Sequence, residues 1–563
     1  MSKVISRRRF LGSSMKGLAA AGLLAGSGAV VFGGDDEFDL IIENGNIIDG
    51  SGGESFKADI GIRKDRIASI GQLKNARAGS RIDAAEKVVS PGFIDIHSHT
   101  DLELLINPKA ESKIRQGVTT ELSGNCGGSV FPIEDPDSEE IRKLAQRLGI
   151  EIDWTDLEGY QTALTRSGIA VNHATLIGSG TVREMVMGSD ARHPTTAEMK
   201  QMKRLIADAL EQGAFGLSSG LEYTPNGFFT TEEMIELNSV AARHGGFYAT
   251  HIRSEDMALL EAVGEAITIA GQAGLPLQIS HLKAAGHSNY YKIPMVFDLI
   301  ERARGRGLDA TADRYPYTAY ATGLSIMFPQ WALDGGSEAF VARLSDPAAR
   351  LEMKPETLVK AGANNGWESI MIQSVEEEIN RAYVGKRLDA AAALAGSEPY
   401  DFACDLLISE GGNVSIIGFG MSEENTEQIL THPLVMLCSD GYALAPYGIL
   451  SEGIPHPRNY GTFPRFLAHY VRQKGVLSLP DAVRKMTSMP AARMRLENRG
   501  IIRKDCFADI VVFDPKTVAD RATYTDSERY PVGIEHVIVN GRPVIEKGEN
   551  TGALPGMVLK KQG

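Results

Sequence analysis

The chain reads as an α/β protein: a (β/α)₈ TIM-like barrel with a small β-sandwich domain built from both termini and an inserted subdomain. Three observations predict this. Through the middle of the chain, short apolar runs alternate with segments of helical period, the pattern of βα units on a parallel sheet. Both ends carry short strand-and-turn patterns with no helical period between them. One gap between apolar runs is too long for a single helix, which places an insertion there.

Residues 1–34 form a signal region. Ser6-Arg7-Arg8-Arg9-Phe10-Leu11 precedes a weakly apolar Gly/Ala/Leu stretch from Gly17 to Phe32, which reads as a twin-arginine export signal. The stretch is too short and too small in side chain for a stable membrane span, so the expected location is periplasmic or extracellular. Ser27-Gly28-Ala29 is only a loose cleavage site, which leaves an uncleaved N-terminal anchor open. Residues 35–87 read as the first part of the small β domain, with strands at Asp39-Leu40-Ile41-Ile42, Ile60-Gly61-Ile62 and Ile67-Ala68-Ser69-Ile70. Residues 499–563 supply the rest, with Ile510-Val511-Val512-Phe513 and His536-Val537-Ile538-Val539 as strands.

The barrel is expected over residues 88–498. Its eight strands are predicted at Val88 to Ile96, Val118 to Leu122, Val171 to Ile177, Ala214 to Leu217, Phe247 to Thr250, Pro276 to Ser280, Leu308 to Ala312 and Leu434 to Ser439. Intervening helices are predicted at Thr196 to Gln212, Thr231 to His244 and Met257 to Ala273, and the insertion at about 325–410.

The composition narrows the function. Formal net charge is −14, from 58 basic and 72 acidic residues, which argues against nucleic acid or an anionic membrane surface as the partner. A small-molecule substrate fits better. Four cysteines, Cys126, Cys404, Cys438 and Cys506, are too few and too scattered for a disulfide framework.

In a barrel of this class, functional groups gather where strands end, at the C-terminal face. His97 and His99 end the first predicted strand, and residues two apart on a strand share a face. Cys126, in Gly124-Asn125-Cys126-Gly127-Gly128, follows the second; His251, His281 and Asp440 end the fifth, sixth and eighth. A thiolate with imidazoles suits zinc. The glycines around Cys126 are expected to let the backbone approach an ion. The remaining histidines, His173 among them, fall in positions that packing alone explains.

With these residues in place, the chain resembles the amidohydrolase superfamily and, within it, the D-aminoacylases or N-acyl-D-amino-acid deacylases. Pro91-Gly92-Phe93-Ile94-Asp95 with His97 and His99 is similar to the superfamily's opening motif. Gly124-Asn125-Cys126-Gly127 is more specific, because in this family a cysteine stands for the bridging lysine of related enzymes. The fourth strand's end, Phe215 to Tyr223, holds no lysine. The resemblance implies a tight Zn2+ on Cys126, His251 and His281, and a weaker second metal position near His97, His99, Cys126 and Asp440. It also implies that Lys283, Arg458 and Tyr223, with Tyr315 or Tyr317, bind a free carboxylate. Thr100 departs from the family, whose members often carry an acidic residue there.

The implied activity is zinc-dependent hydrolysis of N-acyl-D-amino acids to a carboxylic acid and a D-amino acid, with Asp440 moving the proton. The preference for D over L comes from the resemblance alone. A cyclic amidase of the dihydroorotase or hydantoinase type, or a dipeptidase, is the alternative enzyme, and a non-catalytic binding protein is the alternative of another class.

Overall fold

The computed structural model describes residues 37–561, so the twin-arginine segment lies outside the described residues. We number the barrel strands β1 (Phe93–Asp95), β2 (Val118–Ser123), β3 (Asn172–Thr175, resumed at Ile177–Gly178), β4 (Gly216–Gly220), β5 (Phe247–His251), β6 (Leu277–Ile279), β7 (Ala310–Arg314) and β8 (Val435–Leu437). Neighbours pair in parallel, β1 through β3 in one ladder and the second piece of β3 through β8 in another. A parallel bridge between Ser98 and Gly441 joins β8 to β1 and closes the ring.

The first predicted strand, Val88 to Ile96, is two strands. Val88–Pro91 belongs to the small domain, and the barrel begins at Phe93. Gly92 makes the switch: a Cβ there would lie 2.1 Å from Thr119 Oγ1, so only glycine lets the backbone pass this close to β2. The chain then runs straight into β1, which puts His97 at the barrel mouth.

Both ends of the chain build one nine-stranded sheet, joined where Val88–Pro91 pairs antiparallel with Ile510–Phe513. Side-chain alternation gives that sheet two apolar faces. Ile510, Val512 and Ile538 pack in its own core with Leu40, Ile42, Ile60 and Ile62. Val511, Phe513, Val537 and Val539 turn the other way into the barrel core.

The helices around the barrel begin where local chemistry starts them. Thr195 with Glu198, and Thr230 with Glu233, form reciprocal capping boxes that open Thr196–Glu211 and Thr231–Arg243. The next helix, Leu259–Ala273, starts two residues later than the predicted Met257. The Asp256 carboxylate there accepts from Ser254 Oγ and Met257 N, so the loop stays non-helical.

Between β7 and β8, the strands Tyr320–Gly323, Ser415–Gly418 and Ile370–Ser374 form an antiparallel sheet. Four helices pack on it around a separate core that includes Leu324, Phe328, Phe340, Leu388, Leu407 and Ile416. The helix Pro347–Ala363 ends against the barrel mouth. There a Cβ on Gly286, whose φ is +79°, would lie 1.6 Å from the Ala363 carbonyl oxygen. Asn364 Nδ2 donates to Asp256 Oδ2 at 3.1 Å beside it. Among the described residues, no helix is long and apolar enough to cross a membrane.

Candidate functional site

The strand ends deliver their side chains to one cavity of about 340 Å³ at the C-terminal face, walled by His99, Cys126, His251, His281 and Asp440 among others. Cys126, His281 and Asp440 sit at φ of +52°, +35° and +52°, a region that side chains rarely adopt. Strain of this kind costs about 1–3 kcal/mol per residue and persists where the surroundings over-determine it. The determinants are visible: Asp440 N donates to His97 O at 2.9 Å and His281 N to Asp313 Oδ1 at 2.7 Å. Below them, fully buried Lys113 donates to Asp95 Oδ2 (2.7 Å), Ser439 Oγ (2.8 Å) and Gly441 O (3.0 Å), tying the end of β1 to the end of β8. A buried cation is tolerable only with such partners.

The donor atoms run in a chain. His99 Nε2 is 3.1 Å and His97 Nε2 3.5 Å from Asp440 Oδ1. Cys126 Sγ is 3.5 Å from His97 Nε2 and 3.4 Å from His281 Nε2. His281 Nε2 is in turn 3.1 Å from His251 Nδ1. Ligands of a tetrahedral zinc, about 2.0–2.3 Å from the ion, sit roughly 3.3–3.6 Å from one another. The observed spacings and the thiol–imidazole chemistry therefore fit zinc. His97 with Cys126 and His281, His97 with His99 and Asp440, and His251 with Glu255 and His281 each place their donors within 4.8 Å of one another. His97 and His281 thus link neighbouring groups, while Cys126 and His251 fall in different groups and meet only through His281.

Behind the imidazoles stand carboxylates. Glu222 Oε2 is 3.1 Å from His251 Nε2, and Glu255 Oε1 is 3.1 Å from His281 Nδ1. Each carboxylate fixes the outer nitrogen of its ring and leaves the other nitrogen facing inward. Burial, with Lys283 adding to it, pushes His281 down to about 4, and burial also holds His97 well below the usual imidazole range. Both rings are therefore neutral donors at pH 7. Burial and then Asp440 push the Cys126 thiol up, so a cation is what would hold it as thiolate. Asp440 behaves in the opposite way: burial opposes its charge, but Arg458 and the imidazoles keep its carboxyl well below the usual carboxylate range.

Opposite the donors lies a cationic wall. Arg458 Nη1 donates to Asp440 Oδ2 at 2.6 Å, while its Nε has no partner. Lys283 Nζ donates to Glu255 Oε1 at 2.5 Å and lies 2.8 Å from His281 Nδ1. The Tyr315 ring lies 5.0 Å from the Arg458 guanidinium and 5.8 Å from Lys283 Nζ, and its buried hydroxyl has no partner. A buried hydroxyl without a partner beside two cations is an unfilled demand for an acceptor. The Tyr223 ring lies tilted against His251, 4.5 Å between ring centres, and its hydroxyl accepts from Thr322 Oγ1 at 3.3 Å. Tyr317 instead points to Pro457 O at 3.4 Å.

Several residues of the site receive no role from the sequence. Glu222, Glu255 and Lys113 are isolated charges there, while Asp313 and His456 open two stretches, Asp313 to Thr318 and His456 to Arg465, that resemble the family without assigning either residue a task. His456 Nε2 contacts Ala319 O at 3.0 Å and Nδ1 accepts from Arg458 N, which sets the backbone of Arg458. The glycines flanking Cys126 are also required by close protein packing: a Cβ at Gly124 would lie 2.2 Å from Leu176 O, and one at Gly127 2.5 Å from the Asn226 amide. Thr100 faces away from the donors and donates to Glu121 Oε2 at 2.8 Å. His173 is packed, with Ser123 Oγ 2.8 Å from its Nε2. The four cysteines are free.

Comparison with known proteins agrees with this geometry. The model of the amidohydrolase family matches residues 81–315 and 339–545. A D-aminoacylase of Alcaligenes xylosoxydans xylosoxydans is 36% identical over 93% of this chain and 98% of its own. The solved structure of N-acyl-D-glutamate deacylase from Bordetella bronchiseptica, in complex with zinc and a phosphonate mimic of the tetrahedral intermediate, is 32% identical. It superimposes with a TM-score of 0.77 over 93% of this chain and 99% of that one. A D-aminoacylase structure with a binuclear metal centre is 35% identical, with a TM-score of 0.78 over 93% of this chain and all of the other, 100%. The chain belongs to the amidohydrolase family and, within it, to the D-aminoacylase and N-acyl-D-amino-acid deacylase group.

Proposed function

We propose that this protein hydrolyses the amide bond of N-acyl-D-amino acids with zinc as its metal, releasing a carboxylic acid and a D-amino acid. One observation carries the reading: a chain of thiol, imidazole and carboxylate donors faces a cationic wall with an unpartnered buried hydroxyl across a single cavity. That is the pairing a substrate with both an amide and a free carboxylate requires.

Cys126, His251 and His281 would hold the tighter zinc; His97, His99 and Asp440, with Cys126, line a weaker second position. When bound, the metal supplies Lewis acidity and brings water to a pKa of about 7. Asp440, charged at neutral pH, offers Oδ1 as proton acceptor, since Arg458 engages Oδ2. The same oxygen returns the proton to the departing nitrogen, which leaves as an amine only when protonated. Lys283, Arg458 and the Tyr315 hydroxyl would bind the free carboxylate, and Tyr223 closes the wall beside His251. Charge-assisted bonds at that end orient the scissile amide over the donors. The segment Ser6 to Leu11 would send the folded protein through the twin-arginine route to the periplasm or beyond.

A panel of N-acetyl-D- and N-acetyl-L-amino acids, run with a hydantoin and a dihydropyrimidine ring, tests the reading. Turnover is expected for D substrates. Turnover of L substrates alone, or of rings alone, would contradict it.

A further inference from the structure

We propose that Lys360, on the inserted subdomain, is a positioning residue for the metal centre, acting through Glu222 on His251; this rests on the zinc reading above. Glu222 follows β4 and divides its two oxygens. Oε2 holds His251 Nε2 at 3.1 Å, and Oε1 accepts from Lys360 Nζ at 2.8 Å. His251 can present Nδ1 to the cavity only while Nε2 is held outward. A carboxylate bound on both oxygens has one orientation. Without Lys360 it can rotate, and the ring it holds can rotate with it.

The other imidazoles depend on the barrel alone. His281 is backed by Glu255, which Lys283 of the barrel neutralises, and Asp313 of β7 lies 3.6 Å from His97 Nδ1. Among the described residues, only the link to His251 is completed by a side chain of the insertion. Lys360 stands in the last turn of Pro347–Ala363, the turn that docks on the barrel through Asn364 and Asp256 and through the close approach to Gly286. The electrostatics agree: burial disfavours a charged Glu222, and Lys360 and His251 together outweigh it to keep the carboxyl below its ordinary value. The seating of the insertion and the grip on the metal are therefore one coupled equilibrium, and each must influence the other by the same factor.

The test is zinc affinity, measured by chelator competition on the full chain, beside the wild type. Lys360→Met and Glu222→Gln should each weaken zinc by about 10–100-fold, the usual effect of losing an outer partner of a ligand. The double variant should lose no more than Glu222→Gln alone, because Lys360 acts only through Glu222. Lys360→Arg should restore most of the affinity. Lys354→Met, on the same helix and paired 3.7 Å away with Asp401, should leave it unchanged. Lys360→Gln repeats the measurement with a smaller change of packing. Wild-type affinity in both Lys360→Met and Lys360→Gln, or losses that add in the double variant, would overturn the proposal. A wild-type chain that binds no zinc would instead bring down the zinc reading itself.

Discussion

Asp440 is the side chain on which the proposed chemistry rests. Its backbone is strained at φ +52°, its Oδ2 is fixed by Arg458 at 2.6 Å, and its Oδ1 faces His99 at 3.1 Å. Asp440→Asn keeps the shape and removes the proton acceptor. Turnover should fall by about 10²–10⁴-fold, the range of general acid–base contributions. Zinc content should stay near that of the wild type, because the donor set proposed for the tighter zinc does not include Asp440. Steady-state rates and metal analysis on one preparation check both halves, and a variant with wild-type turnover would remove Asp440 from its role. The donors were visible in the sequence because they are rare residue types at the ends of strand patterns, where a two-residue period puts His97 and His99 on one face. Their outer partners were not. Glu222 and Lys360 are 138 positions apart, and nothing local distinguishes either from a solvated surface charge.

Elements fix where those residues point. The barrel strands could be read from apolar runs because each run is buried and continuous, so local composition reports it. The break at Gly92 could not, since Val88 to Ile96 is apolar on both sides of the switch and only the approach of Thr119 shows why the strand divides. The docking of Pro347–Ala363 on the barrel is a second contact of this kind. Gly286→Ala puts a Cβ into the Ala363 carbonyl and a side chain at φ +79°. The backbone part alone costs about 1–2 kcal/mol, and the helix end must move. The expected result is a lower midpoint of thermal unfolding and a reduced kcat/KM, with helix and strand content unchanged by circular dichroism. Unchanged stability and kinetics would show that the helix does not seat there.

At the scale of the molecule, three units serve one cavity. The two ends of the chain form a sheet whose one face seals the barrel, through Val511, Phe513, Val537 and Val539. The barrel is closed beneath the site by the Ser98–Gly441 bridge and the buried Lys113 cluster. The insertion adds Tyr320, Thr322, Lys360 and Asn364 to the lining of the cavity, beside the cationic wall that the barrel supplies. This arrangement gives one donor set that fits zinc and one wall that fits a carboxylate, so hydrolysis should depend on the metal. The most direct measurement strips the purified protein of metal, returns zinc in steps and follows hydrolysis of an N-acetyl-D-amino acid at each step. We predict negligible turnover without metal and recovery that tracks the first equivalent of zinc. Full turnover in the stripped protein, or none restored by zinc, would contradict the account.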